Sequence, residues 1–206
     1  MVARCPKTWM LGVCVSTAVP AVGSRVPHIE AGVGAIATQA NTNILYGVDG
    51  LKLLKTGLSP QAALEKMLKE DPDKESRQVI ILHKDGRTAA FTGKETIDWK
   101  GHLVGKDYAV AGNMLVSSRV IEAMAQTFKS SEGELAERLM KALEAGQEAG
   151  GDKRGRISAA LVVASQKGTS PILDLRVDKH PDPVGELRRI FETRRNKRGT
   201  VTRRKS

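Results

Sequence analysis

The sequence predicts one α/β domain of mixed α+β type, in which two antiparallel sheets stack face to face with helices on both outer sides. Two patterns lead there. Segments rich in Val, Ile and Ala recur in pairs, and pairs of amphipathic helical stretches separate them. Strand pairs need one another's apolar faces and helix pairs need a sheet to cover, so a layered stack satisfies every element. Composition agrees. Hydrophobic residues make up 40% and charged residues 27% of 206, as in a folded domain, and aromatics at 3% leave the core to Ala, Val, Leu and Ile.

Residues 11–16 and 33–38 read as strands, the second flanked by Gly32 and Gly34. Arg4 and Lys7 ahead of the apolar stretch 9–15, with Ala18 and Ala21 beyond it, imitate a weak signal peptide. The run is minimal and Gly12 interrupts it, so it is assigned as strand. Ser59-Pro60 supplies an N-cap and a first-turn proline, and Leu64, Met67 and Leu68 then form an apolar stripe at helical spacing. Residues 79–82 and 88–92 flank Asp85-Gly86, the strongest hairpin signal in the chain. Val120, Ile121, Met124 and Phe128 mark one face of the next helix. The helix after it is expected to open on a capping box of Ser131 and Glu134, to carry Leu135, Leu139 and Leu143, and to end at Gly150-Gly151. Residues 157–165 are nearly all apolar, as in a strand covered on both faces. Leu173, Leu175 and Val177 alternate with Asp174, Arg176 and Asp178 in a half-exposed strand. A last helix starts at Asp182-Pro183 and turns Leu187, Ile190 and Phe191 inward.

The formal charge of +10 suggests nucleic acid until it is located. Residues 194–206 hold Arg194, Arg195, Lys197, Arg198, Arg203, Arg204 and Lys205 and no acid; without these seven charges the body carries +3. The expected organisation is a domain over 1–193 and a basic, disordered tail over 194–206. Weak polyanion binding by the tail is one reading. The missing aromatic platform and the modest charge of the body weigh against a dedicated nucleic-acid protein. Cys5 and Cys14 form no disulfide framework, and four scattered histidines show no ligand spacing, so no metal and no cofactor is expected, in a cytoplasmic setting. No run reaches the length of a membrane helix. A homo-oligomer stays open.

Polar, Gly-rich islands interrupt the apolar pattern. Gln39 and Asn41 lie at the end of a buried strand, where amides orient a polar ligand or close a turn. Gly112-Asn113 at a strand-to-helix junction could offer a backbone N–H and a side-chain amide to an oxyanion, or form a plain turn. Asp152 and Arg154 sit between glycines just before the most buried strand, suited to a carboxylate-bearing substrate or to pairing with each other. Asp182 reads as a helix cap. No Ser-His-Asp order, Walker loop or dinucleotide fingerprint is present.

Taken in order, Ala21-Val22-Gly23-Ser24, Gly32-Val33-Gly34-Ala35, Thr38-Gln39-Ala40, Ala90-Phe91-Thr92-Gly93, Gly112-Asn113-Met114-Leu115, Gly150-Gly151-Asp152, Ser158-Ala159-Ala160, Asp174-Leu175-Arg176-Val177-Asp178 and His180-Pro181-Asp182-Pro183 resemble the Ntn-hydrolase-like family known as domain of unknown function 1028. The match spans almost the whole body, from Val2 to about Phe191. The resemblance implies a four-layer αββα sandwich and an amidohydrolase acting on a small amide. In such enzymes a Thr, Ser or Cys at the start of the mature chain attacks, and its own α-amino group is the base. Asn113 is then the oxyanion candidate, and Gln39, Asn41, Gly112, Asp152 and Arg154 line the substrate site. This chain departs from the pattern: Met1-Val2-Ala3-Arg4 begins where the family has Ile-Val-Ala, so the nucleophile is missing. Cys5 also replaces an expected acid, and Ile157 an amide. Either the start lies further upstream, the expectation adopted, or this member has lost the chemistry and binds a ligand or a protein partner.

Overall fold

Strand pairing builds two sheets. The computed structural model describes residues 1–168 and 170–203, with side chains through residue 196. Its strands are β1 (Val2–Arg4), β2 (Leu11–Thr17), β3 (Pro27–Glu30), β4 (Gly34–Ala40), β5 (Arg77–His83), β6 (Thr88–Thr92), β7 (Gly101–Gly105), β8 (Tyr108–Gly112), β9 (Ser158–Ala164) and β10 (Leu173–Val177). The helices are α1 (Leu45–Lys55), α2 (Pro60–Glu70), α3 (Arg119–Ser130), α4 (Leu135–Glu148) and α5 (Pro183–Arg203). A six-stranded sheet runs β10-β9-β2-β1-β8-β7 and a four-stranded sheet β3-β4-β5-β6, with every neighbour antiparallel.

Period-two alternation in the central strands sorts the apolar residues into three layers. On β5, Ile80 and Leu82 point between the sheets, to Val13, Val15 and Ala160, while Val79 and Ile81 meet α1 and α2 through Leu54 and Leu64. Leu161, next to Ala160, points the other way, to Leu139, Phe128 and Leu187 beneath α3, α4 and α5. The layer between the sheets is built mainly of Val and Ala, which is where the scarcity of aromatics takes effect. β9, buried at every residue, and β10, alternating buried and exposed, are covered as their sequences predict.

The structure adds to the expectations at three places. The Ser131–Glu134 capping box does not form. Ser131 closes α3 through its backbone N–H to Thr127 O, Gly133 turns the chain at φ +98°, and α4 begins after Glu134 without a side-chain cap. β3 and β7 are short edge strands that the apolar pattern does not mark. Helix α5 runs through the expected boundary at residue 193. The tail expected over 194–206 is described only as helical backbone up to Arg203; the side chains from 197 on and residues 204–206 lie outside the described part. Its first two cations engage the body: Arg194 Nη2 donates to Ile172 O at 2.9 Å and Arg195 pairs with Glu137 at 3.1 Å. Among the described residues, no helix is long and apolar enough to cross a membrane.

Candidate functional site

The polar islands converge where β2, β4 and β8 end beside the loop that follows α4. They enclose a cleft of about 170 Å³, walled by Ser16, Thr17, Gln39, Asn113, Asp152 and Arg154. Gly150 and Gly151, at φ +110° and +60°, stop α4 and reverse the chain, a conformation open to glycine at little cost. A single bridge from Leu115 to Asp152 then ties the loop to the residues after β8. The Asp152 carboxylate accepts from Arg154 on both oxygens, at 2.9 Å from Nε and 2.6 Å from Nη2, and also from the Arg154 N–H at 2.9 Å. This two-pronged pairing holds the guanidinium pKa above its ordinary value, and it makes the Asp152–Arg154 unit locally neutral.

Behind the wall lies an amide cluster centred on Gln78, a β5 residue with no solvent exposure. Its Nε2 donates to Gly112 O at 2.8 Å and lies 3.2 Å from Gly101 O and 3.0 Å from Thr92 Oγ1. Its Oε1 accepts from Gln39 Nε2 at 3.2 Å and from Asn113 Nδ2 at 3.1 Å. One side chain of the four-stranded sheet therefore holds the ends of β7 and β8 in the other. Thr92 Oγ1 is also 2.9 Å from His102 Nδ1, and burial holds that imidazole below its ordinary pKa, in the neutral form that can accept from the hydroxyl.

Two further groups hold the walls. Ser158 donates to Val19 O at 2.6 Å and accepts from Val22 N at 3.1 Å, clasping the loop ahead of β3. At the head of β1 the buried α-amino group of Met1 donates to Cys14 O at 2.9 Å, and burial pushes its pKa below the ordinary 8.0. Burial likewise pushes the Cys14 thiol up.

Five of the six residues singled out in the sequence (Gln39, Gly112, Asn113, Asp152 and Arg154) line this one cleft. Asn41 does not line it. Its carbonyl accepts from Arg77 Nη1 at 2.7 Å and its N–H donates to Ser76 O, so it closes the turn after β4. Gln78 and Ser158 were missed as site residues. The available signal was a polar side chain inside a strand buried along its whole length, which must find partners. Among the described residues, no three His, Cys, Asp or Glu side chains gather as a metal site. A second cavity of about 550 Å³ lies between α1 and α2; there Asp71 is committed to Arg77 and Asp49 to Lys52.

The model of a family described as of unknown function, DUF1028, matches residues 1–187. The chain belongs to this family. It is similar to the crystal structure of protein SPO2555 from Silicibacter pomeroyi, assigned to the same DUF1028 family, at 31% identity and a TM-score of 0.87. The match covers 93% of this chain and 83% of that one. No curated protein matches the sequence. The DUF1028 match includes every wall of the cleft and stops within α5, ahead of the basic stretch.

Proposed function

We propose that this DUF1028 protein is an amide hydrolase of the N-terminal-nucleophile type, acting on the C–N bond of a small substrate in the cleft. The observation that carries the reading is the register of β1. Val2 pairs with Val13, and Met1 already reaches the cleft wall opposite Cys14. In an antiparallel pair each step back along one strand is a step forward along the other, so a residue about three positions ahead of Val2 would face Ser16 at that wall. A Thr, Ser or Cys there attacks the acyl carbon. Its α-amino group takes the side-chain proton and passes it to the leaving amine as the C–N bond breaks, and water then releases the acyl group. In this reading the second N–H of Asn113 stabilises the oxyanion.

The experiment is to read the coding sequence upstream of Met1 and the N-terminus of the native protein by mass spectrometry, then to screen small amides with the chain so defined. A nucleophilic first residue is expected. Asn113→Ala is expected to lower kcat by about 10²–10³-fold with little change in KM. A native chain starting at Met1 or Val2, or turnover unchanged by Asn113→Ala, refutes the reading. One observation favours a ligand-binding domain without turnover instead. The Cys14 thiol is held protonated by burial and the Ser158 hydroxyl is committed to Val19 and Val22, so neither is an activated nucleophile. Ligands that raise Tm without being hydrolysed by the complete chain would decide for it.

A further inference from the structure

Hydrogen-bond bookkeeping around Gln78 fixes the polarity of the cleft. The carbonyls of Gly112 and Gly101 can only accept, so the end of Gln78 that faces them is its NH₂ group. Oε1 then faces the opposite way, toward Gln39 and Asn113, and an amide oxygen also only accepts. Both neighbours must therefore turn nitrogen toward it. Gln39 places its remaining N–H on Ala111 O at 3.3 Å. With both donors spent, the uncommitted polar atom that Gln39 brings to the cleft is its oxygen. Asn113 spends one N–H on Gln78 and keeps the other. Neither amide can flip without setting oxygen against oxygen at Gln78, and Gln39 would do so at Ala111 as well.

We propose that the cleft takes a primary carboxamide in preference to the matching carboxylate, and that Gln78 is the positioning residue that sets this polarity. The inference rests on the reading of the cleft as an amide site and names its substrate class. A carboxamide donates its N–H to Gln39 Oε1 while its carbonyl accepts from Asn113. A carboxylate has only acceptors, so one of its oxygens would meet the oxygen of Gln39, leaving repulsion and a lost hydrogen bond together. Gln78 touches no ligand. It acts by holding the two amides that do.

The test compares L-glutamine with L-glutamate and L-asparagine with L-aspartate, by calorimetry and ligand-detected NMR on the full chain. Each pair shares its α-amino and α-carboxylate groups, so attraction of the α-carboxylate to Arg154 cancels. In at least one pair the amide is expected to bind about tenfold tighter or more, the equivalent of one hydrogen bond gained and one repulsion avoided. In Gln78→Met the Asn113 amide is free to rotate and Gln39 keeps only its bond to Ala111 O, so the ratio is expected to fall toward one. Should that buried substitution fail to fold, Gln39→Met on the cleft wall removes the acceptor, together with the donors to Gln78 and Ala111, and is expected to erase the same preference. Equal affinities, tighter binding of the acids, no binding of either amide, or a ratio that survives in a folded variant each overturns the proposal. Only binding is read, so a lack of hydrolysis counts against the hydrolase reading and leaves this one standing.

Discussion

Ser158 opens β9 with no solvent exposure and answers two backbone groups of the loop that carries Val19 and Val22 into the cleft wall. Ser158→Ala removes both partners and leaves the Val22 N–H without its acceptor. The expected cost is about 1–3 kcal/mol, measured as a fall in the denaturant midpoint at constant slope. A loss below about 0.5 kcal/mol would mean that water replaces the hydroxyl and that the clasp is dispensable. At this scale the sequence is legible where a polar residue interrupts an apolar pattern, as Gln39, Asn113 and Asp152 do. Gln78 reads instead as the polar entry to the run Val79-Ile80-Ile81-Leu82. Only the register of β5 beside β4 and β6, and the stacking of the sheets, turn it into the centre of the amide cluster. Asn41 is the converse: of the two roles its place at a strand end allows, its backbone fills that of closing the turn.

Elements were legible where burial came with a long apolar pattern. β5, β9 and α3 carry long apolar patterns and lie where the sequence predicts them, whereas β3 and β7 hydrogen-bond along one edge and are half-exposed, so no pattern marks them. The end of α4 combines both lessons. Gly150-Gly151 was readable as a stop, but its second task, delivering Asp152 to the cleft, depends on the bridge from Asp152 to Leu115. Gly150 sits at φ +110°, and a Cβ there would press into the Val116 side chain. Gly150→Ala is therefore expected to cost about 1–3 kcal/mol in spite of alanine's helix propensity, because backbone strain and the clash act together. Unfolding curves check it. An unchanged midpoint would show that the helix end relaxes freely and that the glycine is there by accident.

At the scale of the whole molecule, three apolar layers are held between two sheets, and the partly buried ionisable groups set how the assembly responds to acid. His28 on β3 and His102 on β7 are both held below the ordinary 6.5, chiefly by burial; for His28, a hydrogen bond with Arg25 O opposes the shift in part. Above 6.5 the imidazoles are mostly neutral whether the chain is folded or not, and their contribution is fully present. As pH falls through 6.5 the unfolded chain takes up protons that the folded protein refuses, so stability declines until the folded values are passed. A second phase follows at lower pH. Asp71 is held low by its hydrogen bond to Arg77, and Asp85, against the opposing cost of burial, by Arg87 and His83; their contributions are present above about 3.9 and are lost below it. The expected result is a urea midpoint that falls between pH 7 and pH 5 and falls again below pH 4. In the double variant His28→Gln, His102→Gln the first decline should flatten while the second persists. Only the slope is read, since replacing His28 also disturbs its packing on Gly47 of α1. An identical slope in the double variant between pH 7 and pH 5 would show that the two rings protonate as freely in the folded protein as in the unfolded chain, and would remove His102 as a neutral partner of Thr92 behind the cleft.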